Sequence, residues 1–222
     1  MINKLFKDKK KRYRNLVLIL LPFVILMGIF GFAAFKSAKG ISNNVGGEVA
    51  FSNSIDTMDY HLRANATDYQ KELFKELDQA VKDKDKEKIA ECVAKNYIAD
   101  FYTWTNKSGS YDVGGMYYVY SPNKGNIVAQ ARSQFYKYLS TYIKEYGSEN
   151  LLEVIEVTAE GGKSNNSYTL NDKSYDMYYY VCDFKYNDST KLNLSDFDTH
   201  LYISVIENED GRFEIVQCYG DH

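Results

Sequence analysis

LLEVIEVTAE, residues 151–160, is the stretch whose reading decides the fold. It follows Gly147 and marks where apolar side chains stop recurring at helical spacing and begin to alternate. Alternation sends successive side chains to opposite faces of a strand, so one face can be buried. The chain beyond it reads the same way. GGKSNN (161–166) has turn composition, and SYTL (167–170) is a short strand ending at Asn171-Asp172. Residues 175–186 form a long strand with Tyr178, Tyr180, Cys182 and Phe184 on one face. NDSTKLNLSDFD (187–198) is a loop. HLYISVIE (200–207) and RFEIVQCY (212–219) flank Asn208-Glu209-Asp210-Gly211, a hairpin signal.

Upstream of 151 the period is helical. Thr67 and Gln70 have the spacing of a capping box, and Tyr69, Leu73, Leu77, Ala80 and Val81 recur behind them. Lys82-Asp83-Lys84-Asp85 breaks the pattern. A second helix carries Ile89, Cys92, Val93, Tyr97, Ile98, Phe101 and Tyr102. NKSGSYDVGG (106–115) is a loop, and MYYVY (116–120) is a strand candidate. Ser121-Pro122 or Asn126 starts a third helix, with Val128, Ala131, Phe135, Leu139, Tyr142 and Ile143 on one face, which Gly147 stops near Tyr146. Helices first and an antiparallel meander afterwards predict an α+β domain, helices on one sheet face.

The amino terminus is of another kind. LVLILLPFVILMGIFGFAAF (16–35) is twenty residues without a charged or polar side chain. As a helix it spans roughly 30 Å, the hydrocarbon thickness of a bilayer. Residues 1–15 carry seven basic groups and only Asp8 against them, whereas only Lys36 and Lys39 follow closely. Short basic flanks stay on the cytoplasmic side, so the chain is expected to cross once with its amino terminus inside and its carboxy-terminal domain outside the cell membrane. The basic tail suits an anionic leaflet. The competing expectation is a cleaved signal peptide. Its apolar core is usually about 7–15 residues long, shorter than this run, but Ala38-Lys39-Gly40 is a usable cleavage pattern. Residues 36–59, rich in Gly, Ser and Asn, read as a flexible tether with a reach of roughly 25–30 Å. Residues 60–222 are then the exterior domain.

The whole chain is net −3, and the part beyond residue 14 is net −9. That balance argues against nucleic acid as a partner. Three cysteines fit no zinc spacing, and no metal or cofactor is expected. Cys92 lies on an apolar helix face. Cys182 and Cys218 can pair only if their strands are neighbours facing the same way, and simple alternation sets Cys218 opposite Phe213 and Ile215. Low proline, many Lys, Asn and Tyr, and few cysteines fit a bacterium with one membrane.

The order of helices, curved meander and closing hairpin ENEDGRFEIVQ (207–217) resembles the nuclear-transport-factor-two-like, or cystatin-like, cone fold. In layout the chain is similar to the single-pass assembly factors of type IV secretion and conjugation machines. That resemblance implies a membrane-anchored, non-catalytic scaffold with membrane or envelope proteins, or further copies of itself, as partners. It carries over no functional residue, because no motif here is specific to those factors.

In a cone fold Tyr97, Tyr102, Trp104, Tyr178 and Tyr180 can line a pocket or an interface, since tyrosine offers both apolar area and a hydroxyl. The plainer reading is that these rings fill the cone. An exterior domain that binds or hydrolyses a small ligand there is the alternative function. Candidate acid–base groups are Asp100, Asp112, Asp183 and His200, but no catalytic triad, HExxH helix or paired carboxylate stands out. Asp112, Gly114 and Gly115 sit in a distinctive loop, readable as a partner contact or as a tight turn. The acidic loop 187–198 lacks the ligand order of a known calcium loop.

Overall fold

The capping signal at Thr67 is realised. Thr67 Oγ1 accepts from the Gln70 N–H (3.2 Å), and Gln70 Oε1 accepts from the Thr67 N–H (3.0 Å). Helix α1 then runs Asp68–Asp83. The structure, a computed structural model, describes residues 50–220. The tail 1–15 and the apolar run 16–35 lie outside the described residues. Among those described, no helix is long and apolar enough to cross a membrane.

Lys84 takes a left-handed conformation (φ 58°) that ends α1, and Asp85 caps helix α2, Lys86–Phe101, by accepting from the Lys88 N–H (3.1 Å). Helix α2 buries Ile89, Ala90, Cys92, Val93, Ala94, Tyr97, Ile98 and Phe101, because α1 and the sheet cover it from different sides. The sheet is antiparallel in the order β3-β4-β5-β6: Val154–Leu170, Lys173–Tyr186, His200–Glu207 and Phe213–Gly220. Tyr178, Tyr180, Cys182 and Phe184 of β4 face the helices, as alternation requires. The α+β class expected from the sequence is therefore present, with helices packed on an antiparallel sheet.

Several elements differ from the sequence reading. GGKSNN is not a turn but part of β3, paired as Gly161↔Tyr180, Gly162↔Tyr179 and Lys163↔Tyr178 before the register shifts ahead of Ser167. A Cβ on Gly161 would sit 2.0 Å from the Tyr179 carbonyl oxygen at φ 148°, so the glycine serves a kinked strand in close contact with its partner. The reversal occurs at Asn171-Asp172, both at positive φ. MYYVY is a single 3₁₀ turn, Met116–Tyr118, followed by an isolated parallel bridge from Val119 to Ile215. Tyr118 and Val119 are both buried, which an alternating strand with one wet face does not permit.

The third helix is two. Helix α3 is Lys124–Ser133 and helix α4 is Leu139–Tyr146. Between them Gln134 leaves helical geometry (ψ −90°), which lets Tyr136 turn fully into the core, donate to the Phe101 carbonyl and accept from the Gly114 N–H. Part of the stretch assigned to the tether is also ordered: strand β1, Phe51–Ile55, pairs with β2, Tyr60–Arg63. The Tyr60 hydroxyl donates to the Phe213 carbonyl (2.7 Å), tying this hairpin to β6.

Cys218 does not lie opposite Phe213 and Ile215. A bulge at Val216, where the register jumps from Val205↔Ile215 to Ser204↔Gln217, reverses the phase and brings Cys218 onto the inner face with them. Strand β5 separates it from Cys182, so the two thiols are about 10 Å apart and beyond disulfide reach. Cys92, Cys182 and Cys218 are free and buried, and burial pushes each thiol up to about 12. The native chain at pH 8 is therefore expected to react with no equivalent of an aromatic disulfide reagent, and the chain in 8 M urea with three. Rapid labelling of the native form would contradict this packing.

Candidate functional site

The expected aromatic pocket residues are brought together, but as packing. Tyr97 stacks on Phe101 (5.3 Å), Tyr102 lies against Phe184 (4.9 Å) and Phe135 (5.2 Å), and Trp104 meets Phe135 (4.7 Å) and Phe197 (5.6 Å). Tyr178 packs on Phe213, and the Tyr180 hydroxyl donates to the Glu87 carbonyl (2.8 Å). All five are buried. Ring-to-ring distances in this range leave the interior between helices and sheet filled. Burial holds the Tyr97 and Tyr102 phenols well above their usual range, so neither is poised as a base.

Asp112, Gly114 and Gly115 belong to a different feature, a knot of charge at the edge of that interior. Arg63, at the end of β2, donates from Nε to Asp100 Oδ1 (3.0 Å), from Nη2 to Asp112 Oδ1 (2.9 Å) and from Nη1 to the Asn106 carbonyl (2.8 Å). Lys107 Nζ donates to Asp100 Oδ1 (2.9 Å) and Asn106 Oδ1 (2.8 Å). The Gly115 N–H donates to Asp100 Oδ2 (2.6 Å), and Ser108 donates to Asp112. Gly114 has no room for a side chain: a Cβ would fall 2.2 Å from the Asp100 carbonyl oxygen. Two cations and two carboxylates thus cancel where water is largely excluded.

Burial pushes the Asp100 and Asp112 carboxyls up, but Lys107 and Arg63 beside the first, and Arg63 and the Ser108 N–H beside the second, hold both below the ordinary carboxylate range. Lys107 runs the other way: burial and the nearby Arg63 bring it down to about 8 against the pull of Asp100. Every carboxylate oxygen here accepts from at least one donor within the knot, so both acids are engaged in holding the loop. The adjoining crevice, lined by His61, Gln70, Asn96 and Tyr118 among others, has about 10 Å³ of usable space, room for about one water. The knot fastens the loop 106–115 to β2 and α2.

Asp183 and His200 are not with Asp100 and Asp112. They meet each other at the other side of the sheet, His200 Nδ1 to Asp183 Oδ1 at 2.6 Å, with Asp183 exposed and His200 partly buried. Among the described residues no group of His, Cys, Asp and Glu is placed to hold a metal ion.

The accessible concavity is on the outer sheet face, which the sequence reading did not single out. There Tyr179, Tyr202 and Tyr219 stack across β4, β5 and β6 at 6.3 and 5.2 Å, with ring planes within 18° and 24°. The kinked segment of β3 after Gly162 stands beside this ladder and encloses a groove of about 570 Å³. The bulge at Val216 is what places Gln217 and Tyr219 on this face. Burial, reinforced by hydrogen bonding to Tyr219, pushes the Tyr179 phenol up to about 12, so that ring is neutral at ordinary pH. The signal available in the sequence was the triplet Tyr178-Tyr179-Tyr180, whose middle ring must face away from its neighbours.

No known protein family, curated protein or solved structure matches this chain.

Proposed function

We propose that the chain is a membrane-anchored, non-catalytic scaffold whose folded domain stands outside the cell and takes part in assembling an envelope or conjugative secretion machine. One observation carries the reading: the interior that would serve as a catalytic or ligand-binding cone is filled by Tyr97, Tyr102, Trp104, Tyr178 and Tyr180, and the carboxylates beside it are consumed by Arg63 and Lys107. The apolar run 16–35 and its basic flank supply the anchor and its direction. Surface aromatic residues outside the core, Tyr111 and Tyr138 among them, supply contact area of the kind interfaces favour.

Cross-linking the full-length chain in intact membranes tests this. The expected result is covalent adducts with other envelope proteins or with further copies of the chain. Recovery of an isolated monomer alone overturns the scaffold reading. In wall-stripped cells, a protease added outside is expected to digest the domain; its complete protection overturns the orientation.

A further inference from the structure

We propose that the outer-face groove beside the tyrosine ladder is a binding site for a neutral oligosaccharide. The lining sets the class of ligand. Asn165, Asn166 and Gln217 carry uncharged amides that both donate and accept, the pairing that vicinal hydroxyl groups require, and the buried Ser204 hydroxyl donates to Gln217 Oε1 (3.2 Å) and holds that amide in place. Tyr179 and Tyr219 add aromatic surface of the kind that packs against the C–H face of a sugar ring. Tyr219, at the end of the ladder, is 38% exposed.

Other ligand chemistries fit less well. The groove's one cation, Lys163, is paired with Asp176 at 2.6 Å, so a phosphate or carboxylate would have to compete with that carboxylate for it. No carboxylate lines it, so a metal ion has no anionic ligand there. Its floor is the interior of the sheet, where β5 has its backbone paired on both sides, so an added peptide strand finds no template along the floor. The volume, about 570 Å³, falls within the roughly 300–1,000 Å³ of small-ligand sites. The strand kink at Gly161 and the bulge at Val216 are both needed to form the groove, one for its wall and one for its floor.

The test is saturation-transfer NMR on the full-length chain in a detergent without a sugar headgroup, titrated with chitotetraose and with cellotetraose. Saturable transfer to ring C–H protons is expected for at least one probe. Tyr219→Ala and Gln217→Ala, each shown to keep the wild-type circular dichroism spectrum, are expected to weaken binding at least tenfold, whereas Lys82→Ala, at a distant exposed position, leaves it unchanged. Absence of saturable transfer for both sugars overturns the proposal. So does transfer that survives both groove variants, or a groove that takes an unstructured peptide and neither sugar. These readouts use the isolated chain and stand apart from the cross-linking result on assembly.

Discussion

Replacing Arg63 by methionine is expected to destabilise the domain by about 3–5 kcal/mol, a large share of the roughly 5–15 kcal/mol that holds a typical domain folded. The stem is kept and the guanidinium removed, so the loss is electrostatic and not a matter of volume. Asp112 is left buried without the Nη2 and Nη1 donors, and Asp100 loses Nε. The Asn106 carbonyl loses its donor from Arg63 as well. Urea unfolding of wild type and Arg63→Met at pH 7 measures the difference. Adding Asp112→Asn to Arg63→Met should recover a substantial part of it, because the stranded charge is then gone. A single variant within about 1 kcal/mol of wild type would show that the knot is not what closes loop 106–115.

The pH dependence carries a second signature of the same knot. In the wild type Asp100 and Asp112 lie below the ordinary value of 3.8, so the stability they supply is complete above that pH and is lost as pH falls through their folded values. In Arg63→Met, burial acts on Asp112 without its main compensating cation, and protonation relieves it. The gap between the two proteins should therefore narrow between pH 7 and pH 4. A gap that widens on acidification contradicts the assignment.

Trp104→Ala is expected to cost a similar amount, about 3–5 kcal/mol, for a different reason. Trp104 is 2% exposed and meets Phe135, Tyr136, Tyr142 and Phe197, rings supplied by separate segments of chain. Its removal leaves a cavity that no neighbouring backbone can close. The same substitution in a residue lining an open pocket would cost well under this, so the measurement separates core from site. As the chain's single tryptophan, Trp104 should also emit as a buried indole and resist quenching by iodide. Ready quenching in the folded protein would return it to the list of accessible residues.

The elements set by local chemistry were legible in the sequence. The capping box at Thr67, the break at Lys84-Asp85 and the inward phase of Tyr178, Tyr180, Cys182 and Phe184 each follow from residues within a few positions of one another. The departures arise where tertiary contacts decide. Gly161 and Gly162 have the composition of a turn, and only the partner strand distinguishes a turn from a kink. The Val216 bulge adds one residue to β6, and nothing in RFEIVQCY marks it, so simple alternation puts Cys218 on the wrong face. Asp100 and Asp112 were visible as acids, but their state depends on Arg63 and Lys107, which sit in polar segments where charge ordinarily faces water.

The β1–β2 hairpin sets how a pull on the amino-terminal segment would be borne. Phe51 pairs with Arg63 at the open end of the hairpin, so tension entering at residue 50 peels β1 away one rung at a time instead of shearing its rungs together. Of β1 only Phe51–Ser54 are exposed, so they alone can pay out in this way, roughly 13 Å of slack. The load then arrives at Ile55 and Tyr60, which are buried in the core, Tyr60 tied to Phe213, with Arg63 clamped to Asp100 and Asp112 behind them. The domain thus has a soft, resettable slipway ahead of a hard stop, and small displacements of whatever holds its amino terminus need not disturb the core.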